Sequence, residues 1–168
     1  MARFFIVFLL IQALLFTAEL TPPGQQYVVQ PFTAGLASVS ALLIGMTGRD
    51  ISSTGMLIHD RQTGFGVEIA AGCNGVEAMI LLLAVILAFP APWRHRLAGI
   101  AIGFVAIQGL NLLRIVSLFF LGMWHPSAFE WAHLYLWQAL IMLDVVLVFL
   151  LWIRALPRAP ASDALAAV

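Results

Sequence analysis

The sequence predicts an all-α polytopic membrane protein: four transmembrane helices, with a fifth crossing left open, plus an amphipathic helix and a small extracytoplasmic β-hairpin. Three observations predict it. Of 168 residues, 62% are hydrophobic and only 10% are charged, against roughly 25% charged in a soluble domain. Five apolar segments follow one another along the chain. One long polar stretch, residues 47–72, interrupts them. The net charge is zero, so nothing points to nucleic acid. A lone cysteine excludes an internal disulfide and any cysteine-based metal cage.

The first apolar segment runs from Phe4 to Leu20, after Arg3, and closes at Thr21-Pro22-Pro23-Gly24. It resembles a signal peptide, but it is longer than a usual hydrophobic region and no small-residue cleavage motif follows, so it reads as a retained first span. The second runs from Phe32 to Met46. Its bulky residues Phe32, Leu36, Val39, Leu43 and Met46 form one stripe, opposite Thr33, Gly35, Ser38 and Ser40. About 15 residues reach only ~22 Å, short of a ~30 Å hydrocarbon core, so an amphipathic helix is expected here rather than a free span. In the polar stretch, "MLIH" and "FGVEIA" flank Asp60–Gly64 and read as a hairpin that could form a rim or lid. The third span runs from Gly75 to Phe89 and closes at Pro90-Ala91-Pro92. The fourth is Leu97 to Met123, with Gly99, Gly103 and Gly109 as close-packing positions. The fifth is His133 to Ile153. The expected organisation is a first span and loop over 1–30, an amphipathic helix and hairpin over 31–72, the helices carrying the chemistry over 73–154, and a flexible tail over 155–168.

Arg3, the Arg94/Arg96 pair, and Arg154 with Arg158 flank different spans. The positive-inside rule puts all three places in the cytoplasm if the second segment does not cross. The start of the third span is then extracytoplasmic, and it stays so if the second segment does cross.

Counted from the cytoplasmic ends, Cys73 and Arg114 each lie about 17 residues, or ~25 Å, up their helices, and His133 lies about one turn further. Each has a plain reading and a chemical one. Cys73 can be a small buried hydrophobe. At a helix start made by the Asn74-Gly75 turn it can also be a thiol activated by unpaired N–H groups and the helix dipole. Arg114 can snorkel to the interface, but an intramembrane arginine is costly and usually faces protein. His133 can belong to an aromatic belt with Trp131, Tyr135 and Trp137. Glu77, four residues after Cys73, can hold Arg114 or help to cap the helix. Asn111 shares a face with Arg114. Asp144, near mid-membrane, is expected to pair with Gln108 or Asn111. His59 and His125 read as loop residues. The four histidines lack ligand spacing, so no metal or other cofactor is expected.

The blocks "AGCNGVEAMILLLAVILAFPAPWRHRLAG", "QGLNLLRIVSLFFLG" and "FEWAHLYLWQALIMLD" resemble the exosortase/archaeosortase family, and within it exosortase H. The likeness is strong from about residue 66 to 154 and rests on Cys-x-Gly at a helix start, Asn-x-x-Arg in the next span and a later histidine. Many members read Cys-Ser-Gly where this chain has Cys73-Asn74-Gly75, a departure that leaves the thiol in place. The extra spans and fused domains of the large exosortases have no counterpart here. The resemblance implies a bacterial cytoplasmic-membrane cysteine transpeptidase with its site at the extracytoplasmic face. Its partners would be exported proteins with a C-terminal motif, helix and basic cluster, for exosortase H a motif of the form Ile-Pro-Thr-Leu-x-x-Trp-Gly. They would be cut and passed to an unidentified acceptor. By motif correspondence Cys73 is the nucleophile, with Arg114 and His133 the other catalytic residues. Asn74, Glu77, Asn111 and Asp144 are supporting candidates. Two readings compete with this one: a non-catalytic membrane scaffold subunit, and a thiol-dependent membrane acyltransferase.

Overall fold

Membrane solvent is apolar, so backbone polar groups must be satisfied within the protein, and helices do this locally. The computed structural model describes residues 2–156 of this chain. The stretch from 157 on, including Arg158 and most of the expected tail, lies outside the described residues. Five helices dominate: α1 (Ala2–Leu20), α2 (Pro22–Gly45), α3 (Val76–Ala88), α4 (Trp93–Trp124) and α5 (Pro126–Arg154). Four of them, α1, α2, α4 and α5, are long and apolar enough to cross a membrane; α3 has 13 residues. Single π-helical stretches interrupt α2 at Gln25–Val29 and α5 at Ala132–Leu136.

The polar stretch forms a three-stranded antiparallel sheet in the order β1-β2-β3: β1 (Ile51–Thr54), β2 (Leu57–Asp60) and β3 (Gly66–Glu68). The expected hairpin is β2–β3. The added strand β1, "ISST", has no apolar alternation to signal it; it pairs with β2 at Ser52↔His59 and Ser53↔Ile58. His59 is thus a strand residue, not a loop residue. His125 ends the α4–α5 turn, where its Nδ1 accepts a 3.3 Å bond from the Ala128 N–H at the start of α5.

The second segment differs from its expectation in length and in facing. The helix starts at Pro22, not near Phe32, because proline is well tolerated in a first helical turn and Thr21 caps it by accepting from the Gly24 N–H at 3.2 Å. The bulky stripe is split: Val39, Leu43 and Met46 are exposed, whereas Leu36 is buried together with Thr33, Ala37, Ser40 and Ala41. In lipid the small and polar residues pack on protein, because close backbone approach rather than hydrophobic burial drives helix association.

Contacts fix the ends of the bundle. The Phe4 ring meets Phe89 edge-on at 6.2 Å, Phe89 meets Trp152 at 5.7 Å, and Trp152 Nε1 donates to His95 O at 2.8 Å. Arg3, Arg94, Arg96 and Arg154 therefore gather at one end. Arg49, just after α2, lies over the Phe120 ring near the far end of α4. So α2, although long enough to cross, does not return to the arginine end. Its upper half packs with the sheet and α4 around Ile44, Ile58, Ile69 and Phe119. A second core joins α3, α4 and α5 through Leu82, Ile107, Ile141 and Trp152.

Two of the three glycines marked for close packing serve it. A side chain at Gly99 would collide with Trp152, and one at Gly103 with Leu82. Gly109 faces open space, so the expectation fails there: among the described residues its side of α4 meets no neighbouring helix. Gly103→Ala is expected to destabilise the bundle by about 1–3 kcal/mol through overpacking. Gly109→Ala is expected to be neutral or to stabilise it by up to about 1 kcal/mol through helix propensity. Thermal melting in detergent checks both.

Asp60 pins the sheet. It is fully buried and accepts from Arg49 Nη1 at 2.9 Å, Gln62 N–H at 2.8 Å and Thr63 N–H at 3.3 Å. Burial pushes its pKa up, but these donors outweigh burial and hold it below the ordinary 3.8. A lowered native pKa contributes stability above the unfolded value and loses it as pH falls through the native one. The thermal advantage of wild type over Asp60→Asn is therefore expected to be full at neutral pH and to shrink below about pH 3.8, as melting across a pH series would measure.

Candidate active site

The chain leaves β3 at Glu68 and must turn sharply into α3. Gly72 (φ +82°) and Gly75 (φ +75°) supply the left-handed backbone this requires. Gly75 is doubly constrained, because a Cβ there would sit 2.9 Å from Gln108 Nε2 of α4. Between these glycines, the Cys73 N–H donates to Ala70 O at 3.1 Å. Asn74, 1% exposed, locks the turn from the other side. Its Oδ1 accepts from the Val76 N–H at 3.0 Å, and its Nδ2 donates to Thr33 Oγ1 of α2 at 3.0 Å. Thr33 Oγ1 in turn donates to Val29 O at 2.7 Å. The cysteine turn is thus held between α2 and α4.

The fold brings Cys73, Arg114 and His133 into contact from three separate elements. Cys73 Sγ lies 3.1 Å from His133 Nε2, and Arg114 Nη2 donates to Sγ at 3.4 Å. His133 sits in the π-helical stretch of α5, and its ring stacks on Phe129 at 5.6 Å. Such π-bulges re-aim a side chain and are frequent at functional sites. Arg114 is 3% exposed and so does not snorkel. No carboxylate pairs with it among the described residues, and its Nε is buried without a partner. It lies between two cavities. One, of about 70 Å³, holds Cys73 and His133 with Glu68, Ala70 and Phe129. The other, of about 220 Å³, opens between α1, α3 and α5 with Gln12, Glu77 and Gln138 on its walls.

A family model described as transmembrane exosortase matches residues 3–155 of this sequence. The chain belongs to the transmembrane exosortase family. No curated protein and no solved structure matches it. The exosortase match covers all five helices and the sheet, so the resemblance seen in the three sequence blocks extends over nearly the whole chain.

The supporting candidates separate. Asn74 touches the site through the cysteine turn. Glu77 makes no ion pair with Arg114; it lines the second cavity instead. Asn111 bonds Gln108 at 3.4 Å beneath Gly75, not Arg114. Asp144 does not pair with Gln108 or Asn111, and its Oδ2 is buried without a hydrogen bond. A shared depth brings two residues together only when helix rotation also turns them toward each other. Thr33 carried no sequence signal beyond its place on the polar face of α2.

The thiol also departs from its expected state. Cys73 stands just ahead of α3 as expected, but the partners of Sγ are His133 and Arg114, not free helix N–H groups. Burial pushes its pKa above the ordinary 9.0; Arg114 pulls it down and Glu77 pushes it up, with burial dominant. The resting group is a neutral thiol, which can donate to Nε2. Iodoacetamide labelling of Cys73 is therefore expected to be slow at neutral pH and to accelerate as pH rises past 9.0. Arg114→Gln is expected to slow labelling at a given pH and Glu77→Gln to speed it, which labelling rates across a pH series would resolve.

Proposed function

We propose that this exosortase-family protein is a cysteine transpeptidase-like sorting enzyme of the bacterial cytoplasmic membrane. It cuts the C-terminal sorting tail of exported proteins at the extracytoplasmic face and passes them to an acceptor. The contact of Cys73 Sγ with His133 Nε2 at 3.1 Å, beside an unpaired buried arginine, carries this reading. The gathering of Arg3, Arg94, Arg96 and Arg154 at the far end supports the orientation.

The chemistry follows from the resting protonation state. A buried neutral thiol needs a base, and His133 Nε2 is in reach to take its proton as Sγ attacks the scissile carbonyl carbon. The carbonyl oxygen becomes an oxyanion. Arg114 has N–H donors to spare for it in a site of low dielectric. Collapse breaks the C–N bond; the imidazolium gives its proton to the leaving amine, which departs with the membrane tail. A thioester at Cys73 remains. An incoming nucleophile then loses its proton to His133, bonds to the acyl carbon and expels the thiolate, which recovers the proton. Splitting the transfer into two steps is the gain from covalent catalysis. The bilayer holds tail and enzyme in one plane, which supplies proximity.

Co-expression with a tagged protein bearing such a tail tests this on a gel. Wild type is expected to remove the tail, and Cys73→Ala to leave it intact. His133→Ala is expected to lower the rate by about 10²–10⁴-fold, with His125→Ala close to wild type. Arg114→Lys, which keeps the charge but loses the planar fork, is expected to lose most activity. Equal processing by wild type and Cys73→Ala would overturn the reading in favour of a structural cysteine.

A further inference from the structure

The sheet has two edge strands, β1 and β3, and only β3 borders the cleft that holds Cys73. β1 lies against α2, with Ser53 Oγ donating to Ser38 Oγ at 3.3 Å. β3 is the opposite edge strand. The register fixes which of its backbone groups are free. Asp60 N–H donates to Phe65 O at 2.8 Å, and Ile69 N–H donates to Met56 O at 3.0 Å. Antiparallel ladders alternate, so Phe65, Val67 and Ile69 turn their N–H and C=O toward β2. Gly66, Glu68 and Ala70 turn theirs away. No residue outside the sheet pairs with the Glu68 N–H or C=O among the described residues. Glu68 and Ala70 also line the 70 Å³ cleft that holds Cys73, Arg114 and His133.

An unpaired strand edge is a template for another strand, and proteins normally blunt or cover it. Here it is left open, and it faces the cysteine. We infer that β3 is the substrate-docking edge: the extended segment of the exported protein around the scissile bond adds to the sheet as a fourth strand, paired through the main chain of Glu68. This rests on the sorting-enzyme reading. The partner is a polypeptide in extended form, held by main-chain hydrogen bonds, with every second side chain turned toward the cleft. At ~3.3 Å per residue, a segment of about three residues paired there spans ~10 Å along the edge that borders the cysteine cleft. The turn Ala70–Gly75 then has a second role. It carries the thiol from the edge strand to the side of the paired peptide, so docking and attack share one stretch of chain.

Proline tests the pairing because it removes a single N–H. At residue 68 that N–H points away from β2, so Glu68→Pro spares the β2–β3 ladder. Glu68→Ala changes the side chain and keeps the N–H. Tail removal by Glu68→Ala is expected to be at least about tenfold faster than by Glu68→Pro, with Cys73 labelled by iodoacetamide in both. Equal rates would overturn the inference. If Glu68→Pro does not accumulate, single prolines placed along the substrate segment decide with wild-type enzyme. Cleavage blocked at alternate positions supports strand pairing, and an effect without that alternation overturns it. Cys73→Ala runs in parallel, so a failure of the sorting-enzyme reading shows separately as tail removal that does not depend on the thiol. In that event, hydrogen exchange on Cys73→Ala mixed with the tailed protein still decides. Slowed exchange over residues 66–70 supports docking at β3, and unchanged exchange there overturns it.

Discussion

The constraint on which the rest of this structure depends is that α3 is too short. Its 13 residues rise about 20 Å, against a hydrocarbon core of about 30 Å. Above its start the chain is a turn and a sheet, whose backbone polar groups find no partners in a continuing helix and must be satisfied otherwise. The surroundings follow from that need. The upper half of α2 and the upper half of α4 clasp the sheet through Ile44, Ile58, Ile69 and Phe119. Thr33 and the Gly75 contact with α4 clamp the turn. The cysteine stands where the short helix gives way to the sheet.

The same level concentrates polar groups that lipid disfavours. Arg114 is buried without a carboxylate, and its resolved hydrogen-bond partner on the guanidinium is the Cys73 sulfur. A buried cation left unpaired is costly, and structures keep such groups where an incoming anion or developing negative charge will meet them. The neutral state of the thiol fits this arrangement. A resting thiolate would neutralise Arg114 in advance, whereas a thiol leaves the guanidinium free for the oxyanion of the proposed mechanism. Glu77, which opposes ionisation of the thiol, works in the same direction.

The lower half of the bundle is built differently. Gly99 admits the Trp152 ring and Gly103 admits Leu82, so α4 approaches its neighbours closely there. Phe4, Phe89 and Trp152 close the arginine end. These contacts hold α3, α4 and α5 together at the end opposite the Cys73, Arg114 and His133 cluster.

The sequence by itself determined the membrane class, the helices α1, α3, α4 and α5, the β2–β3 hairpin and the common depth of Cys73, Arg114 and His133. Transfer into lipid is nearly additive along the chain, and depth is a count of residues from a known end, so both can be read locally. It also carried the family resemblance, through the Cys-x-Gly, Asn-x-x-Arg and histidine blocks. Only the tertiary structure decided the rest. The start of α2 at Pro22 and the outward turn of Val39, Leu43 and Met46 depend on what packs beside it. "ISST" is a strand only because β2 offers a partner. Asp144 finds no mate at Gln108, and Gly109 no neighbour, because rotation of each helix about its axis is fixed by contacts with the others. The π-helical stretch that aims His133 at Cys73, the Thr33–Asn74 latch and the open edge of β3 have the same origin. Each is a relation between segments distant in the chain, set by rotation, tilt and register, and none of these three is written in the run of residues on either side alone.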